Sequence, residues 1–270
     1  MTPCKPQHVV DSTGMRRRFI AVLVPGLVAF GLAMTAATRL PAETPASPTV
    51  VELFTSQSCS SCPPAEAYLG KLAGRADVIA LEFHVDYWND LIYGGAGRWT
   101  DIHSSSANTQ RQRAYAARLP DGVYTPQMVI DGRVQAIGSR ERDVEAAIRA
   151  ERQRPHLALH LSTATAGRLE LKIGDGTVVG ERSADLWLVH FKLREETRVR
   201  GGENRGKTLI NHHIVTGMTA LGSAPLDGEL VLLDTLTRAP DEGCAILVQA
   251  RDQGPILGAA LCPVAGPKAS

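Results

Sequence analysis

Residues 50–65, VVELFTSQSCSSCPPA, decide how the rest of this sequence is read. Val50, Val51, Leu53 and Phe54 are β-branched, aliphatic or aromatic, and they read as a buried strand. Thr55-Ser56-Gln57-Ser58 is a polar turn, after which come Cys59-Ser60-Ser61-Cys62, two prolines and the helical pattern AEAYLGKLAGR. Cys-x-x-Cys at a strand-to-helix junction is the layout of a dithiol–disulfide redox site. Amides at a helix N-terminus stabilise a thiolate, so the first cysteine attacks a disulfide and the second resolves the mixed intermediate. Cys59 is therefore the expected nucleophile, exposed to substrate, and Cys62 the shielded resolving thiol. Two blander readings compete. Half of a zinc site needs two more ligands, and no second Cys-x-x-Cys or Cys/His cluster is present. A static disulfide across so short a loop contributes little. Pro63 biases Cys62 away from helical geometry, and Pro64 suits a first helical position. The regular helix is thus expected to begin after the cysteines, with a weakened dipole effect on Cys59.

The chain has 270 residues, room for one large domain or two ordinary ones. Its net charge is +1 and aromatics make up 5%, which gives no footprint for nucleic acid or an acidic partner. Arg16-Arg17-Arg18, an apolar run over residues 19–34 and a small, polar tail over 35–42 read as a signal peptide, cut after Ala37 or Ala42. An uncleaved membrane anchor is the rival, since residues 19–37 approach the spanning length. The cysteines are Cys4, Cys59, Cys62, Cys244 and Cys262. Cleavage removes Cys4 and leaves an even set, which suits a periplasmic or secreted protein in an oxidising compartment.

VIALEFHVDYW (residues 78–88) is a second buried strand, and strand–helix–strand at this spacing implies a parallel, right-handed unit. His84 and Asp86 fall near its carboxyl end, the edge at which sites assemble in open α/β sheets. Residues 89–106 form a long loop carrying Tyr93 and Trp99, and NTQRQRAYAARL (108–119) a polar amphipathic helix. VYTPQMVI, Asp131-Gly132 and residues 134–137 predict a hairpin, and Ser139 is placed to cap a helix running to about Gln153. A proline opening a strand, as at Thr125-Pro126, cannot donate to the ladder and calls for a special reason.

From Pro155 onward the pattern changes to LALHLSTA, RLELKIG, ADLWLVHFKLR, GELVLLDTL and CAILVQAR, runs separated by turn residues. These predict an antiparallel β-domain of sandwich type. Cys244 and Cys262 lie near its last strands and are expected to form a structural disulfide. His212 and His213 are neighbours that point to opposite faces of a strand, so they read as core or turn histidines, not as a chelating pair. The expected organisation is an N-terminal extension, signal peptide and linker over 1–48, an α/β domain over 49–153 and a β-rich domain over 154–270.

The motifs VELFTSQSCSSCPPAEAYL, HVDYW, RQRAYA, VYTPQMVIDG, GENRGKTLINHHIV and GPILGAA, in that order, resemble the exported bacterial family catalogued as domain of unknown function 1223. The N-terminal part also resembles the thioredoxin superfamily. The resemblance implies α/β plus all-β: a thioredoxin-like domain followed by an antiparallel β-sandwich-like domain. It implies a cis peptide at Thr125-Pro126 facing the Cys-x-x-Cys, with the Thr125 backbone free to pair with a substrate strand. It makes Glu52 a candidate buried acid shuttling a proton to Cys62, against an ordinary strand-end carboxylate. Ser58 stands where the family pattern more often has glycine, and residues 89–99 look longer than usual.

The function expected is an exported thiol–disulfide oxidoreductase acting on protein thiols or disulfides, recycled by a redox partner and needing no cofactor. Contact with a membrane is expected only through an uncleaved signal anchor. The rivals are a Cu(I)-binding chaperone, with His84 or His103 beside the thiolates, and a non-catalytic scaffold that docks a partner.

Overall fold

The computed structural model describes residues 47–92, 94–163, 168–227, 230–233 and 239–263. The expected signal peptide, its cleavage sites and Cys4 lie outside the described residues, as does Tyr93.

Strand β1 (Thr49–Thr55) and strand β2 (Val78–His84) are buried along their whole length and pair in parallel, from Thr49 with Val78 to Thr55 with His84. Helix α1 (Pro63–Ala73) makes the crossover. Strands buried on both faces need apolar residues at nearly every position, which is why these segments read as continuous hydrophobic runs. Strand β3 (Gln127–Ile130) pairs antiparallel with β1 and then with β4 (Val134–Ile137). Asp131 and Gly132 between them both have positive φ, as the Asp-Gly signal requires. Helix α2 (Ser106–Ala116) starts at the Ser105 cap, whose hydroxyl accepts from the Asn108 amide. Helix α3 (Glu141–Glu151) follows Arg140, and the expected Ser139 cap is not made.

Side-chain alternation along β1 and β2 sorts the layers. Val51, Leu53, Val78 and Ala80 pack with Ala65, Leu69 and Leu72 of α1 and with Val144 and Ile148 of α3. Val50, Phe54, Ile79, Leu81 and Phe83 face the other way and pack with Tyr115 of α2.

The antiparallel strands of the C-terminal half do not stand apart from this unit. Long strands β7 (Ser183–Arg198) and β8 (Thr208–Pro225) form a hairpin, and β8 lies parallel to β2 with Glu82 opposite Ile214. With β10 (Glu242–Gln249) and β11 (Ile256–Leu261) they complete one eight-stranded sheet, ordered β11-β10-β7-β8-β2-β1-β3-β4. The boundary expected between residues 153 and 154 therefore does not interrupt the sheet. The physical reason lies at the seam. The buried Glu82 carboxylate accepts from Asn211 Nδ2 at 2.7 Å and from the His212 amide at 2.8 Å. Val189, Phe191, Val215 and Leu247 also share a core with Phe54 and Phe83. A second sheet, β5 (Leu159–Thr163), β6 (Leu169–Ile173) and β9 (Leu230–Leu233), is ordered β5-β6-β9. Leu169, Leu171 and Ile173 of β6 pack there against Leu186, Leu188, Ile246 and Val248. Cys244 and Cys262 are bonded, with Cα atoms 5.3 Å apart.

The protein is thus a mixed α/β structure built on one large, mostly antiparallel sheet with few helices. Among the described residues no helix is long and apolar enough to cross a membrane.

Candidate functional site

The Cys-Ser-Ser-Cys turn leaves the sheet at the carboxyl end of β1. Its backbone is closed by Cys59 N–H donating to Ser56 O at 3.0 Å and by Cys62 N–H donating to Cys59 O at 3.2 Å. Cys59 and Cys62 are bonded to each other, with Cα atoms 5.4 Å apart. Cys62 is the N-cap of α1 and adopts right-handed helical geometry despite the proline after it. Its carbonyl, accepting from the Ala65 and Glu66 amides, draws it into the first turn. Pro63 and Pro64 occupy positions where a helix has unpaired amides, so the helix start offers fewer N–H donors than usual.

Both sulfurs are covered. Cys59 is 1% exposed and Cys62 0%, while Ser60 and Ser61 face solvent. The expectation of an exposed Cys59 is corrected by what lies over the turn. Residues 99–101 bond it from one side, through Ser58 Oγ to Trp99 O, Trp99 Nε1 to Gln57 Oε1, and the Gln57 amide to Asp101 Oδ2 at 2.7 Å. The tip of the β7–β8 hairpin bonds it from the other. Buried Asn204 donates from Nδ2 to Cys59 O at 2.8 Å and to Gln57 O at 3.0 Å, and the Ser60 amide donates to Glu203 Oε2 at 2.8 Å.

Beneath the turn sits a buried cluster of acids and histidine. Thr55, Glu82 and His84 fall on the α1 face of the sheet by alternation, and α1 brings Glu66 against them. Thr55 Oγ1 donates to Glu66 Oε1 at 2.8 Å. Burial, and then the neighbouring Glu82 carboxylate, push the Glu66 pKa up to about 8. His84 Nδ1 lies 2.7 Å from Asp101 Oδ2, and its Nε2 lies 3.4 Å from Glu82 Oε1. Burial opposes a charge on His84, but Asp101 and then Glu82 outweigh it and hold the imidazole well above its usual range. In return, although burial works against its charge, Asp101 is held below the carboxylate range by His84 and by the Gln57 amide. His103, whose ring centroid is 5.2 Å from that of His84, is pushed down by burial and by the His84 charge. Both nitrogens of His84 are thus turned toward carboxylates. Among the described residues no three of His, Cys, Asp and Glu are arranged to hold a metal ion.

Glu52 lies elsewhere. It belongs to the Val50–Phe54 set of β1 positions, facing α2 and away from α1. There it accepts from Arg111 Nε at 2.6 Å and from Tyr115 Oη at 2.5 Å, and Gln249 completes the network by donating to Tyr115 Oη. Burial opposes the Arg111 charge, but the Glu52 carboxylate more than offsets it and raises the guanidinium's pKa. This carboxylate is neutralised by a buried cation on the face opposite the cysteine pair's supporting helix. Glu66, one turn after Cys62, is a buried acid on the α1 face.

Pro126 is buried immediately before β3, and the Thr125-Pro126 peptide is cis. Because Gln127 pairs with Phe54, Pro126 stands at the same end of the sheet as the cysteine turn. Half-buried Thr125 lies in a segment held by Gln112 Nε2, which donates to Tyr124 O at 2.7 Å and to Gln127 Oε1 at 2.9 Å.

A family model described as "Protein of unknown function (DUF1223)" matches residues 50–249, from the first residues of β1 to the end of β10. The chain belongs to this family. Within the match fall both the Cys-Ser-Ser-Cys turn and the hairpin tip that covers it. Protein AGR_C_4864 from Agrobacterium tumefaciens, a solved structure, is similar at 29% identity and a TM-score of 0.64, over 83% of this chain and 98% of that one. HBP35 of Porphyromonas gingivalis shares the fold at 14% identity and a TM-score of 0.53, over 83% of this chain and 78% of that one. No curated protein matches the chain.

Sequence reasoning missed four residues of the candidate site: Glu66, Glu82, Asp101 and Asn204. The i to i+4 spacing from Cys62 was a usable signal for Glu66, and alternation from His84 was one for Glu82. Asp101 and Asn204 reach the turn from loops, where no periodicity marks them.

Proposed function

We propose that this protein is an exported thiol–disulfide oxidoreductase working through Cys59 and Cys62. The observation that carries the reading is a Cys-x-x-Cys disulfide at the junction of a buried strand and a helix, above a buried protonatable acid. The surrounding order, β2-β1-β3-β4 with α1 and α3 on one face and α2 on the other, supports a thioredoxin-like core within the larger sheet. Export is supported by the apolar N-terminal run after Arg16-Arg17-Arg18 and by the second disulfide, Cys244–Cys262.

In this reading a substrate thiolate attacks the Cys59 sulfur, the Cys59–Cys62 bond breaks, and Cys62 leaves as a thiolate that takes up a proton. A second substrate thiol attacks the mixed disulfide and releases Cys59. The substrate dithiol loses two electrons and two protons, and the cysteine pair gains them; the reverse sequence reduces a substrate disulfide. Glu66, one turn after Cys62 and protonated below about pH 8, is a buried proton store on the α1 face.

The test is turnover of a disulfide-bonded peptide by the exported form of the chain, with glutathione as recycling reductant. Catalysed exchange that is abolished by Cys59→Ser supports the reading. A rate no greater than that of Cys59→Ser would sink it.

A further inference from the structure

The block GENRGKT stands out in the sequence without a role, far from the cysteines along the chain. In the fold it is the tip of the β7–β8 hairpin, and it closes on the Cys-Ser-Ser-Cys turn. Gly202 N–H donates to Gly97 O, and Arg205 Nη1 to Gly95 O, which seat the tip on the neighbouring loop. Lys207 Nζ donates to Asn204 Oδ1, orienting the amide that bonds Gln57 O and Cys59 O.

We propose that this tip is part of the dithiol–disulfide centre, with Glu203 and Asn204 as positioning residues that bias the cysteine pair toward its disulfide form. The inference rests on the redox reading above. A Cys59 thiolate is favoured by N–H donors free to turn toward it. In this turn the Cys59 and Cys62 amides are committed to backbone carbonyls, and Pro63 and Pro64 have none. The Ser60 amide, next along the chain from Cys59, donates to the Glu203 carboxylate at 2.8 Å. The Ser61 hydroxyl stands beside the sulfur, 3.2 Å from Cys59 Sγ. Glu203 therefore takes up a donor and brings a negative charge to the turn. Both effects disfavour a thiolate at Cys59, and with it the dithiol form. Asn204 acts through the backbone: by holding the Gln57 and Cys59 carbonyls of the turn it keeps the Ser60 amide aimed at Glu203.

The experiment equilibrates the exported form of the chain with glutathione at varied thiol-to-disulfide ratios. Two glutathione thiols become one glutathione disulfide as the Cys59–Cys62 bond is reduced. The fraction of dithiol is read after acid quenching and alkylation. In parallel, the pH dependence of alkylation is measured on the fully reduced protein. Glu203→Gln should shift the equilibrium toward dithiol by about threefold or more and lower the pH midpoint of Cys59 alkylation. Glu203→Asp should fall between the two. Glu196→Gln removes the same charge from the same hairpin, where the carboxylate pairs with Arg194, and should leave both readouts unchanged. Glu203 and Glu196 are both exposed, so the fold survives either change. If Glu203→Gln matches wild type, or Glu196→Gln shifts the equilibrium equally, the positioning proposal falls and the redox reading stands. If the wild-type pair does not exchange with glutathione at all, the redox reading falls and takes this proposal with it.

Discussion

Glu66 lies one turn of α1 beyond Cys62: its amide donates to the Cys62 carbonyl at 3.1 Å, and its buried carboxyl accepts from Thr55 Oγ1 at 2.8 Å. This couples the cysteine turn to an acid whose pKa is pushed up to about 8 by burial and by Glu82. Between the unfolded carboxyl value and about 8, the folded state holds a proton that the unfolded chain has lost. Stability attributable to Glu66 is therefore full at low pH and declines as pH rises through that window. Glu66→Gln should remove this decline, so the variant gains on wild type from pH 5 to pH 8. Denaturant midpoints across that range measure the difference. A gap that does not widen with pH would contradict the protonated, buried acid.

Arg111 is buried between Glu52, Tyr115 and Gln249. Arg111→Met should cost about 3–5 kcal/mol, because it strands the Glu52 carboxylate in the core. Adding Glu52→Gln should recover part of that loss. Exchange activity should respond only as far as stability does, since this network lies on the face away from α1. Chemical denaturation of both single variants and the double variant completes the cycle.

A Cβ at Gly201 would run into the Arg98 carbonyl oxygen, beneath the hairpin tip. Gly201→Ala should lift the tip from the loop, costing about 1–3 kcal/mol by overpacking. Cys59 and Cys62 should then become more accessible, and dithiothreitol should reduce them faster than in wild type. An unchanged reduction rate in a destabilised variant would show that the tip does not limit access.

The Cys244–Cys262 bond closes a loop with a sequence separation of 18 and joins β10 to the residue after β11. Replacing both cysteines by alanine should cost about 3 kcal/mol by loop-closure reasoning, seen as a lower Tm. Exchange at Cys59–Cys62 should persist below the new Tm. Loss of exchange in a folded double variant would tie the second disulfide to the site.

Residues 50–65 carried local information that sequence reading could use. A continuous apolar run, a Cys-x-x-Cys turn and two prolines mark a buried strand passing into a helix, because burial and helix-start chemistry act over neighbouring residues. Asp131-Gly132 located its hairpin for the same reason, since the turn backbone demands positive φ there. Periodicity also contained more than was drawn from it. Glu52 and Thr55 lie on opposite faces of β1, and only the Thr55 face meets Glu66, Glu82 and His84.

What the sequence by itself determined is the strand–helix junction at Cys59–Cys62, the order of the remaining elements and the apolar N-terminal run. Tertiary structure decided that β8 lies beside β2, so that one sheet spans both halves of the chain. It also decided that Asp101 and Asn204, from two distant loops, converge on the same turn. Such contacts join residues separated by up to 147 positions, and neither propensity nor alternation acts over that distance. They form because the carboxylates and amides buried at the seam find hydrogen-bond partners only once the sheet has assembled.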